Sequence, residues 1–507
     1  MGASTRRPGL VLAAMCVALA TVVSAVSSLN VALPDVARDL RATQTQLEWI
    51  IDAYAVVFSG LLLFAGALGD RLGRRPLLLG GLVVFSAAAG AGVVASSPGA
   101  LIAVRAVMGI GAAAIMPATL SIITNVFPAG ERDRAVSIWA GVAGASALLG
   151  LLVSGFLLEA FSWHSVFAFS SVVGVLALIA GLRLAPNSKL DRARLDVVGG
   201  ALSALGLSAL VYGIIEGPER GWTDAVTLAA FAVACVLAAG FVAWELRRGE
   251  PLLDPRLFRL PGFGAGAASI TVQFFAFFGF IFVILQYVQF VLGYSPLGAG
   301  LALAPMAALM MALSPRVPRL LTHFGPGQIG PIGLLSMAGG FAVFSTAGVG
   351  SGYLLILGGL VLLGVGAALA TTPATTAIVS SLLASKQGVA SAVNELSREV
   401  GGALGIAVLG SALTGRYQTG VASAAAHLPA AVAGPAKEAL PAALAIADRL
   451  GPNGATLASQ AQSAFVDGLG LAMLIAAASA VAAALFVLWR APRRAVARKA
   501  YRRAAAA

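Results

Sequence analysis

Long uncharged apolar runs recur along the whole chain and are separated by short polar or glycine-rich segments. A transmembrane helix needs about 20 consecutive apolar residues, and this length divides the chain into fourteen predicted spans. They cover approximately 9–33, 47–69, 77–95, 99–123, 134–158, 163–183, 196–216, 224–245, 263–292, 297–319, 328–349, 352–383, 388–414 and 464–490. The pattern predicts an all-α integral membrane protein.

The composition agrees with this interpretation. Of the 507 residues, 59% are hydrophobic and only 11% are charged, whereas soluble domains are about a quarter charged. The first run follows Arg6 and Arg7, as a signal peptide would, and residues 23–25 resemble a cleavage site. However, the uncharged run from 8 to 34 is too long for a typical signal peptide. We therefore predict a retained first helix.

Basic residues fall at the ends of the predicted spans. With both termini inside, 25 of the 33 lysines and arginines are cytoplasmic, six are outside and two lie within spans. This bias follows the positive-inside rule and predicts cytoplasmic termini in the plasma membrane. It also explains the net charge of +12 without a nucleic-acid partner. No metal is expected, because the three histidines are isolated from one another and from both cysteines.

The link between predicted spans 2 and 3 reads GALGDRLGRRP at positions 66–76. An acid at a helix C-terminus is disfavoured by the helix dipole, so Asp70 needs a cationic partner. The glycines remove side chains where helices approach closely. The residues expected to act here are Gly66, Gly69, Asp70, Arg71, Gly73, Arg74 and Arg75.

A weaker copy of this link occurs later in the chain. Positions 318–327 read PRLLTHFGPG, which aligns Gly325 with Gly73 and Thr322 with Asp70. The segment AVSI at 135–138 likewise resembles VASA at 389–392, and both offsets lie near 252–254 residues. Internal repeats of this kind are typical of secondary transporters. They predict a six-helix half at 1–190, two inserted helices and a linker at 191–260, and a second six-helix half at 261–507.

Ionisable groups inside a span are expensive and are functional candidates by default. Arg105 lies in span 4 and Asp52 one turn into span 2, although a snorkelling arginine and a first-turn acid are the alternatives. Span 13 carries Glu395, Arg398 and Glu399, and Arg398 can neutralise one of the two acids. The other, which we expect to be Glu399, would exchange a proton. A purely structural ion pair is the alternative.

Predicted span 9 is rich in phenylalanine and ends with two glutamines. Such aromatic residues usually face lipid or neighbouring helices, but they also form walls for bulky apolar ligands. The candidates for a substrate cavity are Phe278, Gln286, Gln289, Trp49 and Tyr54. The segment 415–463 predicts an extracellular region with short surface helices, and Asp467 is expected to cap the last span.

Several motifs resemble the fourteen-helix drug:proton antiporter branch of the major facilitator superfamily. They are the 66–76 link, NVALP at 30–34, QLEW at 46–49, EGPERGW at 216–222, GVASAVN at 388–394 and REVGGALG at 398–405. Arg105 with Gly109 and Gly111 resembles the family's helix-four motif. Helix five departs from the family pattern at Leu151 and Ser154, where the family has proline and glycine, and Ala25 replaces an aspartate frequent in the branch.

The resemblance implies a fold of two six-helix halves plus two inserted helices. It implies that the 66–76 link forms a conformational latch and that the helix-four arginine takes part in proton transfer. The expected function is proton-coupled export of bulky apolar small molecules, without catalytic activity or a cofactor other than the proton gradient. The expected partners are a small-molecule substrate, protons and the lipid bilayer, with the protein acting as a monomer. Proton-coupled uptake and a non-transporting membrane sensor are the alternatives.

Overall fold

The computed structural model describes residues 8–40, 42, 44–187, 196–249, 251–382, 387–426 and 428–490, and these form helices and connecting turns without a strand. The first eight helices are α1 Pro8–Leu40, α2 Gln44–Leu72, α3 Arg74–Gly92, α4 Pro98–Val126, α5 Ala129–Ala160, α6 His164–Leu184, α7 Val197–Arg220 and α8 Ala225–Glu245. The others are α9 Pro261–Gln286, α10 Pro296–Leu313, α11 Val317–Phe324, α12 Pro326–Phe344, α13 Tyr353–Ser380, α14 Gln387–Ala425, α15 Ala430–Glu438, α16 Leu440–Leu450 and α17 Ala455–Arg490.

Fourteen stretches of the described chain are long and apolar enough to cross a membrane, as the sequence predicts. Helices α10 and α11, joined by a short 3-10 turn, form one of these stretches. Another stretch runs from α16 through α17. In a bilayer, backbone polar groups must be satisfied internally, and helices achieve this within each segment.

Two large apolar clusters divide the helices. One contains buried side chains from α1 to α6, which we call the N-terminal half. The other draws mainly on α9, α10, α12, α13, α14 and α17, which together with α11 we call the C-terminal half. The inserted helices α7 and α8 pack against each other, and α7 also packs against α2 and α14. The Ser208 hydroxyl donates to the Val56 carbonyl oxygen over 3.4 Å, which ties α7 to α2.

The two halves meet along two seams, α2 against α14 and α5 against α10. In the first seam, Leu63 packs with Val389 and Val393 in one apolar cluster. In the second, a Cβ on Gly144 would lie 2.4 Å from the Met310 methyl group. A larger side chain there would force the flexible Met310 side chain to move. Small residues therefore permit the close approach.

The turn from α2 to α3 and the turn from α11 to α12 have the same backbone device. Gly73 has φ of 112° and Gly325 has φ of 81°, a region that L side chains rarely adopt. These are the glycines that the internal repeat aligns. Each one separates two helices with no residue to spare, because the next helix starts at the following position.

The segment between the last two spans contains the short helices α15 and α16, as predicted. The Tyr417 hydroxyl donates to the Ala436 carbonyl oxygen over 2.8 Å, which holds α15 against the C-terminal part of α14. The prediction that Asp467 caps a helix is wrong. Helix α17 begins at Ala455, well before the apolar run, so Asp467 lies in the helix interior with an exposed side chain.

Candidate functional site

A buried ion pair lies in the N-terminal third of α14. Arg398 Nη1 is 3.2 Å from Glu395 Oε1, and the side chains are 7% and 1% exposed. The Asn394 amide donates a further hydrogen bond of 3.0 Å to the same carboxylate oxygen. A buried charge is tolerated only when it is paired and hydrogen-bonded. Glu395 is therefore the acid that Arg398 neutralises, in agreement with the three-residue spacing along the helix.

Arg398 also lies against two aromatic rings. Its guanidinium carbon is 4.4 Å from the centre of the Phe274 ring in α9 and 5.4 Å from the Trp139 ring in α5. Both distances fall within cation–π range. Trp139 belongs to the N-terminal half and is fixed by its indole N–H, which donates to the Thr119 hydroxyl over 3.2 Å. Arg398 thus contacts both halves of the molecule.

Glu399 is the second acid of α14, and it points to the seam with α2. Its carboxylate is within electrostatic range of Glu395, Arg398 and the Tyr54 hydroxyl. Within the described part of the chain, no ion pair or hydrogen bond engages Glu399. The neighbouring arginine of α14, Arg398, already pairs with Glu395, and the other arginine of the helix, Arg416, lies 17 residues after Glu399. Glu399 therefore adds a second carboxylate beside an acid that is already paired.

Arg105 lies across the seam on α4, and only 1% of it is exposed. Its Nε donates to the Ile50 carbonyl oxygen over 3.0 Å, and its guanidinium carbon lies 4.3 Å from the centre of the Tyr54 ring. Asp52 is within electrostatic range. The alternative of an arginine that snorkels to the membrane surface is therefore wrong, because the side chain turns inward onto α2. The Tyr54 hydroxyl is buried without a partner among the described residues.

A small cavity of about 20 Å³ lies between the halves next to Arg398. This volume holds about one water molecule, so the halves are closed around it. The side chains around it are mostly aromatic, thioether and small. They belong to Ala140, Gly144, Gln273, Phe274, Phe277, Met310, Met337, Ala367, Thr371 and Arg398. The Thr371 hydroxyl donates to Gln273 Oε1 over 2.9 Å, which gives the cavity a polar edge.

The candidates for a substrate cavity lie outside this lining. Phe278 packs beside Gly402 of α14, and the Gln286 amide donates to the Phe282 carbonyl oxygen of its own helix. Trp49 packs on Tyr212 of the inserted helix α7, with ring centres 5.7 Å apart. Gln289 lies in a π-helical turn after α9, and Tyr54 lies under Arg105. Their place on a substrate path stays a prediction for other conformations.

The 66–76 link, which we call the latch after its predicted role, spans the junction between α2 and α3 and contacts α4. Asp70 Oδ1 is 3.1 Å from Arg74 Nη2, and both side chains are buried. Arg74 Nη1 also reaches the Ser121 carbonyl oxygen of α4, over 3.4 Å. The cationic partner that the sequence requires for Asp70 therefore includes Arg74.

The neighbouring residues of the latch have separate positions. Arg75 donates to the Leu182 carbonyl oxygen of α6 over 2.6 Å, whereas Arg71 is exposed. Gly69 allows close approach, since a Cβ there would lie 2.8 Å from a Leu77 methyl carbon. Gly66 is buried in α2. The latch therefore joins three helices of the N-terminal half and one more through Arg75.

Helix α5 binds α1 through a reciprocal pair of hydrogen bonds. The Ser154 hydroxyl donates to the Ser28 carbonyl oxygen over 2.7 Å, and the Ser28 hydroxyl donates to the Gly150 carbonyl oxygen over 3.0 Å. A Cβ on Gly150 would lie 2.6 Å from the Ser24 carbonyl oxygen. Ser154, the departure from the family pattern, thus contributes a hydrogen bond where glycine would supply only space.

Comparison with known proteins identifies the family of this chain. The family model described as Major Facilitator Superfamily matches residues 10–406. The chain belongs to the Major Facilitator Superfamily. Among its relatives, the tetracenomycin C resistance and export protein of Streptomyces glaucescens is 33% identical over 95% of this chain and 91% of its own length. The multidrug efflux pump LfrA of Mycolicibacterium smegmatis is 36% identical over 90% of this chain and 91% of its own length.

Solved structures give the same fold. The proton:xylose symporter XylE has a TM-score of 0.59 at 16% identity and covers 96% of both chains. This likeness concerns the fold alone. As a member of the Major Facilitator Superfamily, the protein is a multi-pass membrane transporter of small molecules.

Sequence reasoning missed the residues that surround Arg398. Phe274, Phe277 and Trp139 were hidden among many apolar residues, because a single sequence does not tell which face of a helix points inward. Asn394 had a usable signal, since it precedes Glu395 inside an otherwise apolar span. A polar amide in a span needs a partner, and the adjacent acid provides it.

Proposed function

We propose that this transporter exports bulky, largely apolar molecules such as drugs or antibiotics in exchange for protons. The observation that carries the proposal is the position of Glu399, a second carboxylate at the seam between the halves whose neighbouring arginine, Arg398, is already paired with Glu395. The names of the relatives, which are export and efflux proteins, support the direction of transport.

Glu399 is the proton-coupling residue in this mechanism. When the carboxylate is protonated, α2 and α14 pack together without a buried negative charge. When the proton leaves, the charged form favours a water-exposed position and the seam opens. Because a ligand can shift such an equilibrium only by binding the two states differently, the proton acts through its preference for one state. Glu395 and Arg398 keep the adjacent charge constant, and Arg105 and Asp52 set the field around Tyr54.

The substrate enters where the small cavity lies once the halves separate. Phe274, Phe277, Met310 and Met337 offer aromatic and polarizable surface from the C-terminal half. Aromatic and thioether side chains accept varied apolar ligands, since methionine is flexible. The polar edge formed by Gln273 and Thr371 orients a ligand with a hydrogen-bonding group. Trp139 closes this site from the N-terminal half.

The latch acts at the C-terminal end of α2, away from Tyr54. We propose that the Asp70–Arg74 pair stabilises the outward-open state by holding α2, α3 and α4 together on the cytoplasmic side. The same proposal places both termini in the cytoplasm and the protein, as a monomer, in the plasma membrane. No cofactor is needed, because the proton gradient drives the exchange.

Drug accumulation in cells tests the proposal. Cells that express the protein should accumulate less of at least one drug in a panel of planar aromatic compounds than cells with an empty vector. A protonophore should abolish the difference. Energy-dependent accumulation of a compound would instead indicate uptake. Saturable ligand binding without any flux would indicate a sensor, and either result would contradict export.

A further inference from the structure

A recess of about 430 Å³ opens beside the C-terminal end of α12 and interior positions of α14 and α17, away from the seam between the halves. Its lining includes Ser345, Thr346, Arg416, Asp467, Leu471 and Leu474. Cavities of roughly 300–1,000 Å³ accommodate small molecules. In the predicted topology, this end of the C-terminal half faces the outer leaflet.

The recess contains two opposite charges that the fold does not use. The side chains of Arg416 and Asp467 are exposed, and no ion pair or hydrogen bond within the described chain involves either of them. They line the same recess, yet they are not paired with each other. Asp467 lies inside α17, so it has no capping role there. The two charges are therefore available to a single ligand that carries both a negative and a positive group.

Further groups make the Asp467 side of the recess suited to a cation. Helix α12 ends at Phe344, and a helix C-terminus carries partial negative charge. The hydroxyls of Ser345 and Thr346 donate to the Ala342 and Val343 carbonyl oxygens, over 2.7 and 2.8 Å. Their oxygen lone pairs remain as acceptors. A primary ammonium has three donors, which match a carboxylate and such hydroxyls.

The membrane side of the recess is apolar. Leu471 and Leu474 of α17 are 42% and 54% exposed. They begin the apolar stretch of α17 that reaches Arg490. The polar end of the recess is thus continuous with a surface that meets hydrocarbon. A ligand that fits both parts has a zwitterionic head and an apolar tail.

We propose that this recess binds an outer-leaflet phospholipid with a phosphoethanolamine headgroup, a phosphatidylethanolamine. Arg416 holds the phosphate, because guanidinium donors match phosphate oxygens. Asp467 and the end of α12 hold the ammonium, and the acyl chains follow Leu471 and Leu474. The lipid would join α12, α14 and α17 at the outer end of the C-terminal half. This site does not depend on the direction of transport or on proton coupling.

Native mass spectrometry of the full-length protein in detergent tests the site. The delipidated protein is titrated with phosphatidylethanolamine, phosphatidylcholine or phosphatidylglycerol of the same acyl chains. We expect phosphatidylethanolamine to bind best, since phosphatidylcholine lacks ammonium N–H donors and phosphatidylglycerol lacks the cation. Arg416→Gln and Asp467→Asn should each weaken its binding about tenfold, the usual worth of a charged hydrogen bond.

The matched controls are Arg449→Gln and Asp448→Asn on α16, which make the same charge changes at exposed positions outside the recess. They should leave lipid binding unchanged. Equal binding of the three lipids by the wild-type protein would overturn the proposal without any variant. An effect of Arg416→Gln with none of Asp467→Asn, together with tight phosphatidylglycerol binding, would reduce the recess to a simple anion site and also overturn it.

Discussion

The two halves use the same turn but place their charges at different depths. In the N-terminal half, the turn at Gly73 carries the buried Asp70–Arg74 pair. In the C-terminal half, the turn at Gly325 has Thr322 in the position of the acid, and the Thr322 hydroxyl bonds back to the Arg319 carbonyl oxygen over 2.7 Å. Both turns need a glycine with positive φ, because a single residue joins the two spans there. A charged pair is not needed to form the turn, so the positions of the charges reflect the task of each half.

The C-terminal half instead has its buried charges inside α14, in the N-terminal third of that helix. There, Glu395 and Arg398 form a pair and Glu399 adds one acid. The ion pair at the latch joins helices within one half, whereas Arg398 and Glu399 lie where the halves meet. We infer from this difference that the Asp70–Arg74 pair fixes a conformation, whereas the charged residues of α14 respond to a proton. The following predictions separate these roles, in order of decreasing effect.

Loss of the Glu395 carboxylate should have the largest effect on stability. Glu395→Gln leaves the Arg398 guanidinium, which cannot give up its proton, buried without its counter-ion. Breaking a buried pair in this way costs about 3–5 kcal/mol. Thermal unfolding in detergent should therefore show a clear drop in Tm. The matched variant Glu131→Gln, at an exposed position in the first turn of α5, should melt like the wild type.

Breaking the Asp70–Arg74 pair of the latch should lower the stability of the protein less than Glu395→Gln does. Asp70→Asn keeps the shape of the side chain but removes the charged hydrogen bonds to Arg74, a loss of about 1.5–3 kcal/mol. The same thermal assay checks it, with Thr322→Ala in the equivalent turn as the control, because an exposed hydroxyl contributes little. If Thr322→Ala destabilises the protein as much as Asp70→Asn, the two turns have equivalent roles and the contrast between the halves fails.

The two turn glycines should differ only slightly. Both glycines combine a positive φ with an extended ψ, of 141° at Gly73 and 159° at Gly325, a conformation adopted almost only by glycine. Another residue held there costs about 1–3 kcal/mol, so Gly73→Ala and Gly325→Ala should both lower the Tm. Gly73→Ala should lower it more, since its Cβ would lie 2.6 Å from Asn187 Oδ1 while the space at Gly325 is open. Gly80→Ala, in open space within α3, serves as the control and should not destabilise. A larger drop in Tm for Gly325→Ala than for Gly73→Ala would contradict this prediction.

Much of the fold follows from the sequence because the bilayer imposes simple rules. Span length, charge bias and the repeated glycine turn give the number of helices and the repeat, and the structure confirms the number. The sites were harder to predict. The pairing of Arg398 with Glu395 follows the helical spacing, because residues three apart share a helix face whereas the adjacent Arg398 and Glu399 do not. The spacing does not tell which face of α14 meets α2. For a related reason the sequence did not point to Phe274 and Phe277, which line the small cavity in this structure, because they differ from Phe278 only in direction. The place of Phe278 on a substrate path stays a prediction.

The most direct test of the mechanism follows protons and substrate together in proteoliposomes. Addition of a transported drug to vesicles that contain the wild-type protein should cause a measurable proton flux in the opposite direction. The Glu399→Gln variant should fold and bind the drug but show neither proton flux nor transport driven by an imposed pH gradient. A Glu399→Gln protein that still couples proton flux to drug transport at the wild-type rate would contradict the central role of this carboxylate.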